Sequence, residues 1–256
     1  MPELPDIEVF AHNLKSLFLG KRVVKVNVVN GNKLKDHHHE LSEHLEGHKL
    51  TDIYRSGKEF RLVFSNGVVL GMHLMLTGDI FVFEKVNESK FTIIEFYYED
   101  GTGLALTDRM RNANVKLHPE DKEGIDALSD ELNYKNLKTL LNRKTKIKDI
   151  LLDQHIIRGI GNGYSDEILW ECRISPNSIA SAIPDNKIKE LAKTIKTVMT
   201  DATEKILKAY PGLINGEVKE FLKIHRQKTS PTGLDIIVEK KGARKTYYTK
   251  EQVLYK

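Results

Sequence analysis

The chain has 256 residues, 40% of them hydrophobic and 30% charged, with one cysteine and a formal net charge of +4. This length suits one large domain or two ordinary ones, at about 150 residues each. No apolar run approaches the ~18 residues of a membrane span. The lone Cys172 excludes a disulfide framework and a cysteine-rich zinc site. The N-terminus lacks a basic-then-apolar leader, so a cytoplasmic setting is expected, or the nucleus in a eukaryote.

The first expected element is an amphipathic helix over 5–19. Pro5 suits its first turn, Asp6 and Glu8 complement the helix dipole, and Gly20 ends it. Ile7, Phe10, Leu14, Leu17 and Phe18 share its apolar face. The period then falls to two. "VVKVNVV" at 23–29 sets Val24, Val26 and Val28 against Lys25 and Asn27. "FRLVF", "VVLGMHL", "DIFVF" and "FTIIEFYY" follow, with "SNG" and "EDG" as turns. This series predicts an antiparallel sandwich or barrel before residue 118. "HPEDKEG" at 118–124 reads as a break. Helical periodicity follows at 135–153, 163–172 and Asp185–Ala209. "DIIVEKKGARKTYYT" closes the chain as a hairpin turning near Lys240–Gly242. The fold class is α+β, with expected domains at 1–120, 133–222 and 223–256.

Charge concentrates late in the chain. Six Lys or Arg and no acid lie between Asn133 and Lys148, and nine against three acids between Lys223 and Lys256. Such clusters suit a polyanion, or a solvated face.

Two stretches carry chemistry. If Met1 is removed, Pro2 becomes a secondary amine at the chain end. An α-amine titrates near pH 7.7–8.0, so part of it is neutral and nucleophilic at cellular pH. Attack on a sugar aldehyde carbon would give an iminium, and Glu3 is placed to move protons. Pro2 and Pro5 could equally stiffen a helix start. The second stretch is "LLDQHIIRGIGNGYSDEILW" at 151–170. Gly159, Gly161 and Gly163 let backbone N–H groups approach an anion, Asn162 adds a donor, and a helix N-terminus follows. A tight interhelical turn is the plainer alternative. "HHH" at 37–39 reads as a surface segment, not a metal site.

"PELPDIE" at 2–8, "GKEFRLVF" at 57–64, "HLMLTG" at 73–78 and the glycine turn occur in that order. Together they resemble the formamidopyrimidine-DNA glycosylase/endonuclease VIII family of base-excision repair enzymes, over essentially the whole chain. The resemblance implies an N-terminal antiparallel β-sandwich with a leading helix, a helix–two-turns–helix domain and a C-terminal finger hairpin. It implies a bifunctional DNA glycosylase/lyase that needs no cofactor or metal, acts as a monomer, and has damaged double-stranded DNA and no membrane as its partner. Pro2 matches the nucleophile, Glu3 the acid/base carboxylate, and Lys58 a lysine holding the backbone near the lesion. Asn162, Lys148, Arg244 and His73 match DNA contacts. Leu76, Arg111 and Asn112 fall at void-filling positions, and Asn112 stands where the family usually has phenylalanine.

Two departures bear on function. The family's four-cysteine zinc finger cannot form here, so the tail resembles the zincless finger of some members. Packing by Ile236, Val238, Tyr247 and Tyr248 is expected to hold it. The link "AYPGLINGEVKEFLKIHR" is short for the loop that closes over 8-oxoguanine in many relatives. Ring-opened purines and oxidised pyrimidines are therefore expected as substrates on a par with it. Rival readings are a catalytically inactive damaged-DNA binder of the same fold and, more remotely, an RNA-associated module.

Overall fold

The computed structural model describes every residue except Lys122. It forms two compact units. The first comprises Met1–Asp121 and Ile206–Glu217, and the second Lys122–Lys205 and Val218–Lys256.

The first unit opens with helix α1 (Leu4–Phe18), which has proline and Asp6 in its first turn and Lys15 in its last. Leu4, Ile7, Phe10, Leu14 and Phe18 are buried, whereas Leu17 is 43% exposed and leaves the expected face. Eight strands follow: β1 (Val23–Val28), β2 (Leu50–Ser56), β3 (Glu59–Phe64), β4 (Val69–His73), β5 (Gly78–Glu84), β6 (Thr92–Tyr98), β7 (Thr102–Asp108) and β8 (Asn114–Leu117), with helix α2 (His38–Leu45) between the first two. They form two four-stranded sheets of order β1-β6-β7-β5 and β2-β3-β4-β8. Every pairing in them is antiparallel, as expected of a sandwich. Phe10, Phe18, Phe60, Phe64 and Phe96 are fully buried, each stabilising the core by about 1.5–3 kcal/mol.

The alternation expected of β1 fails at its start. A bulge between Val23 and Lys25 breaks the register, so Val23 and Val26 are buried and Val24 faces solvent. The histidine run belongs to α2. His37 caps that helix and His38 Nε2 lies 3.0 Å from the Val26 carbonyl oxygen. Among the described residues, no group of three or more His, Cys, Asp or Glu is set to hold a metal.

The second unit carries β9 (Ile125–Asp126), α3 (Tyr134–Leu141), α4 (Ile147–Leu152), β10 (Ile157–Arg158), α5 (Asn162–Glu171), α6 (Asp185–Ala209), β11 (Ile237–Lys241) and β12 (Arg244–Tyr248). The last turn of α6 belongs to the first unit. The stretch read as one helix over 135–153 is two. At the break the backbone pairs elsewhere: Ile147 N donates to Ser178 O, and Ala180 N to Thr145 O, both at 2.9 Å. A continuous helix could not spare those groups. Helix α6 buries Ile188, Leu191, Ile195, Met199, Ala202 and Ile206, a single stripe at helical spacing.

The hairpin β11–β12 turns at Gly242, whose φ is +61°. Its apolar residues are only partly covered, Tyr247 against the His225 ring at 4.7 Å. Val238 is 50% exposed, and Ile236, Tyr247 and Tyr248 are only half-buried. The chain beyond it is laced to residues 173–179. Val253 N donates to Arg173 O, Ser175 N to Val253 O, and Ile179 N to Tyr255 O, each at 2.8 Å.

Candidate functional site

Pro2 is buried and Glu3 half-buried, immediately ahead of α1. Asp6, itself only 3% exposed, accepts the Glu3 N–H at 2.9 Å. One sequence feature therefore starts the helix and fixes the backbone that carries both residues. Met1, still attached, pairs its ammonium with Glu217. The strand of chain bearing Glu217 is fastened to the sandwich: Asn13 Nδ2 donates to Leu213 O at 2.8 Å, and Asn215 Nδ2 to Ile80 O at 3.1 Å.

Lys58 sits in the turn between β2 and β3, beside Gly57, whose φ of +62° calls for glycine. Arg55 ties this turn to α1. Its Nε lies 2.6 Å from Glu8 Oε2 and its Nη1 donates to Gly57 O at 3.0 Å, with the guanidinium nearly buried. The structure thus links the lysine's turn to the helix that Pro2 and Glu3 begin. Sequence reasoning missed Arg55. The available signal was an arginine on a half-buried strand, since such a charge must find a partner.

The void-filling positions occupy two loops. Leu76 is 59% exposed. Its loop closes through a 2.9 Å bond from Gly78 N to Leu74 O, so tight that a Cβ on Gly78 would meet that oxygen. His73, at the loop's entry, accepts Met75 N–H on Nδ1 at 2.9 Å. Arg111 is exposed, with φ of +54°. Asn112 is not a free wedge: its Oδ1 accepts from Lys33 Nζ at 2.5 Å. Met110, 52% exposed, is the large apolar side chain that this loop presents, and sequence reasoning passed over it. Asp108 holds both loops. It accepts Thr77 Oγ1 at 2.5 Å and the backbone N–H groups of Met110, Asn112 and Ala113 at 2.6–2.9 Å. Burial alone would raise its pKa. The Thr77 hydroxyl and the three amides outweigh that and hold the carboxyl below its ordinary value.

In the second unit, Lys148, Asn162 and Arg244 line one concavity of about 540 Å³, with Lys146, Lys241 and Asp149. Asn162 begins α5 behind Gly161. Its Nδ2 donates to Lys245 O at 2.9 Å, so the helix start and the hairpin meet at this residue. Asp149 faces Lys241 at 3.5 Å and Arg244 at 3.8 Å. These are loose pairs that a phosphate can displace. Lys148 is held from behind. Asp166, 1% exposed, lies 2.5 Å from Lys148 Nζ and 2.7 Å from His225 Nδ1. The neighbouring Glu167 accepts the N–H groups of Lys223, Ile224 and His225 at 2.8–2.9 Å. Burial outweighs those amides and raises its pKa. Cys172 is fully buried and its thiol is pushed up to about 12, chiefly by burial, so it is no nucleophile.

The tail offers Ser230, Thr232, Thr249, Glu251 and Gln252 around the base of the hairpin. These hydroxyls, one carboxylate and one amide contain neither thiolate nor imidazole. They do not fit a structural zinc ion.

A proline at position two on a braced helix, and a basic concavity built on a glycine turn and a hairpin, define a DNA-handling protein of the helix–two-turns–helix class. Residues 1–115 match the formamidopyrimidine-DNA glycosylase N-terminal domain and residues 124–209 its helix–two-turns–helix domain. The chain belongs to the formamidopyrimidine-DNA glycosylase family. It is 30% identical to the formamidopyrimidine-DNA glycosylase of Mycoplasma genitalium, over 97% of this chain and 94% of that one. Identity to the Ligilactobacillus salivarius enzyme of the same name is 33%, over 80% and 78%. In fold it is similar to the Lactococcus lactis Fpg solved with abasic-site DNA, with a TM-score of 0.86, 21% identity and coverage of 96% and 97%.

Proposed function

We infer that this chain is a DNA glycosylase of base-excision repair that removes oxidised bases and then cuts the abasic strand as a lyase. Removal of Met1 frees the Pro2 nitrogen, which as long as it is acylated cannot attack. The amine adds to the sugar C1′, and the C1′–base bond breaks with the base departing as the leaving group. The resulting iminium acidifies the neighbouring sugar carbon, and successive β- and δ-elimination expel the two flanking phosphates. Glu3 moves the protons for ring opening and elimination. Lys58 holds the backbone beside the reacting sugar. A base must leave the stack before its sugar can be attacked, at a cost of a few kcal/mol. Leu76, Arg111 and Met110 occupy the space it vacates, while Asn162, Lys148, Arg244 and His73 grip phosphates. The protein acts as a monomer on duplex DNA in the compartment that holds the chromosome. Ring-opened purines and oxidised pyrimidines are its substrates.

The observation that supports this reading most is the bracing of the N-terminus. Asp6 fixes the Glu3 backbone, and Glu8 with Arg55 ties the Lys58 turn to the same helix. The test is borohydride trapping on an abasic-site duplex, with loss of Met1 verified by mass spectrometry. The processed wild type should form a covalent adduct and Pro2→Gly should not. A processed wild type that binds the duplex without trapping would make the chain a damaged-DNA binder.

A further inference from the structure

The base of the hairpin holds a carboxylate that the reaction does not use. Glu251 Oε2 accepts from four donors on three stretches of chain. They are Thr232 Oγ1 at 2.9 Å, Thr249 Oγ1 at 3.0 Å, Arg173 Nη1 at 3.0 Å and Trp170 Nε1 at 3.3 Å. Trp170 lies in the last turn of α5 and Arg173 just beyond it. Thr249 follows β12 directly, and Thr232 lies in the loop that leads to β11. Around this oxygen the loops are closed by further bonds. Ser230 Oγ lies 2.8 Å from Thr232 Oγ1, Thr249 N donates to Gln252 Oε1 at 2.8 Å, and Gln252 Nε2 donates to Ile174 O at 2.8 Å. The Arg173 guanidinium also stacks 4.5 Å from the Trp170 ring.

We propose that Glu251 is the keystone that clamps both ends of the β11–β12 hairpin to the C-terminal end of α5, and so positions Arg244. The strands alone supply little of this restraint, since Val238 is half in solvent and a two-stranded hairpin alone is marginal in water. A charged acceptor with several donors forms the stronger kind of hydrogen bond. In keeping with this, burial alone would raise the Glu251 pKa, but the Thr232, Thr249, Trp170 and Arg173 groups lower it. The role in DNA binding rests on the glycosylase reading above; the clamp itself does not.

Hydrogen exchange on the full chain, without DNA and with EDTA present, tests the clamp. In Glu251→Ala, the amides of β11 and β12 should exchange about tenfold faster, a loss on the scale of one charged hydrogen bond. Sandwich and α6 amides should be unchanged. Unchanged hairpin exchange would overturn the proposal. If the variant loosens everywhere, Thr232→Val and Thr249→Val each remove one donor and leave the ion pair. Both should speed exchange in the hairpin alone, and no effect from either would overturn the clamp. The positioning role is read from abasic-duplex affinity against salt. Glu251→Ala should weaken binding as Arg244→Ala does, and the double variant should bind no worse than Arg244→Ala alone. Additive losses would refute action through Arg244. Glu251→Gln, which keeps an acceptor without the charge, should fall between wild type and alanine.

Discussion

The two units brace their chemistry-bearing groups with carboxylates, but over different distances along the chain. In the first unit the braces are mostly local. Asp6 reaches a backbone group three residues away, and Asp108 reaches groups two, four and five residues away; the Asp108–Thr77 and Glu8–Arg55 contacts span 31 and 47. In the second unit they are distant. Asp166 joins Lys148 and His225 across 18 and 59 residues, and Glu251 reaches Trp170 and Arg173 across 81 and 78. A local brace shapes a turn that already exists. A distant one forms only when the whole unit folds, because loop closure must come first. Removing the buried distant brace at Asp166 should therefore cost global stability, removing the half-buried one at Glu251 should loosen the hairpin it clamps, and removing a local one should loosen its own loop.

The largest effect should come from Asp166→Ala. It removes the buried carboxylate that pairs with the Lys148 ammonium and with His225. Breaking such a buried pair costs about 3–5 kcal/mol. Denaturant unfolding should show that loss as a lower midpoint with an unchanged slope. A loss under about 1 kcal/mol would mean that the two units do not differ in the way described.

A smaller and differently shaped effect is expected of Asp108→Asn, about 2 kcal/mol from donors left poorly matched. Its pH dependence sharpens the contrast. The folded-state pKa of Asp108 lies below its ordinary value. Its stabilisation is therefore complete above the ordinary carboxylate range and fades as pH falls through the lowered folded value. Melting temperature followed down from pH 6 should fall less steeply in Asp108→Asn than in wild type. The Leu76 and Met110 loops should gain mobility while the sheets keep their exchange protection. Parallel acid limbs would remove Asp108 from its role.

The same division explains what could be read before the structure. The β-sandwich, α6 and the hairpin were legible because each rests on periodicity or turn chemistry within a few residues. Pro2, Glu3, Lys58 and Asn162 were singled out through motifs, and the structure sets Lys148, Asn162 and Arg244 around one cavity. What escaped was non-local. The bulge that turns Val24 outward arises from pairing with β6. The break between α3 and α4 arises because residues 145–147 bond to 178–180. Arg55 looked like any strand arginine until Glu8, 47 residues away, was found against it. Met110, 52% exposed on the same loop as Asn112, carried no motif that marked it.

At the hairpin the local reading and the structure part at one residue, Val238. Ile236, Val238, Tyr247 and Tyr248 have the strand propensity expected of a packed ribbon, yet Val238 is half exposed and Thr232 and Thr249 at the hairpin's base bond to Glu251. The smallest predicted effect follows. Val238→Thr keeps the β-branched shape and removes only apolar surface that already meets water. It should change stability by less than about 0.5 kcal/mol, as exposed substitutions do, and leave abasic-duplex affinity unchanged. A hairpin held by packing would lose well over 1 kcal/mol at the same position. The two causes therefore part on a single melting curve, and a large loss in Val238→Thr would return the hairpin to its apolar residues.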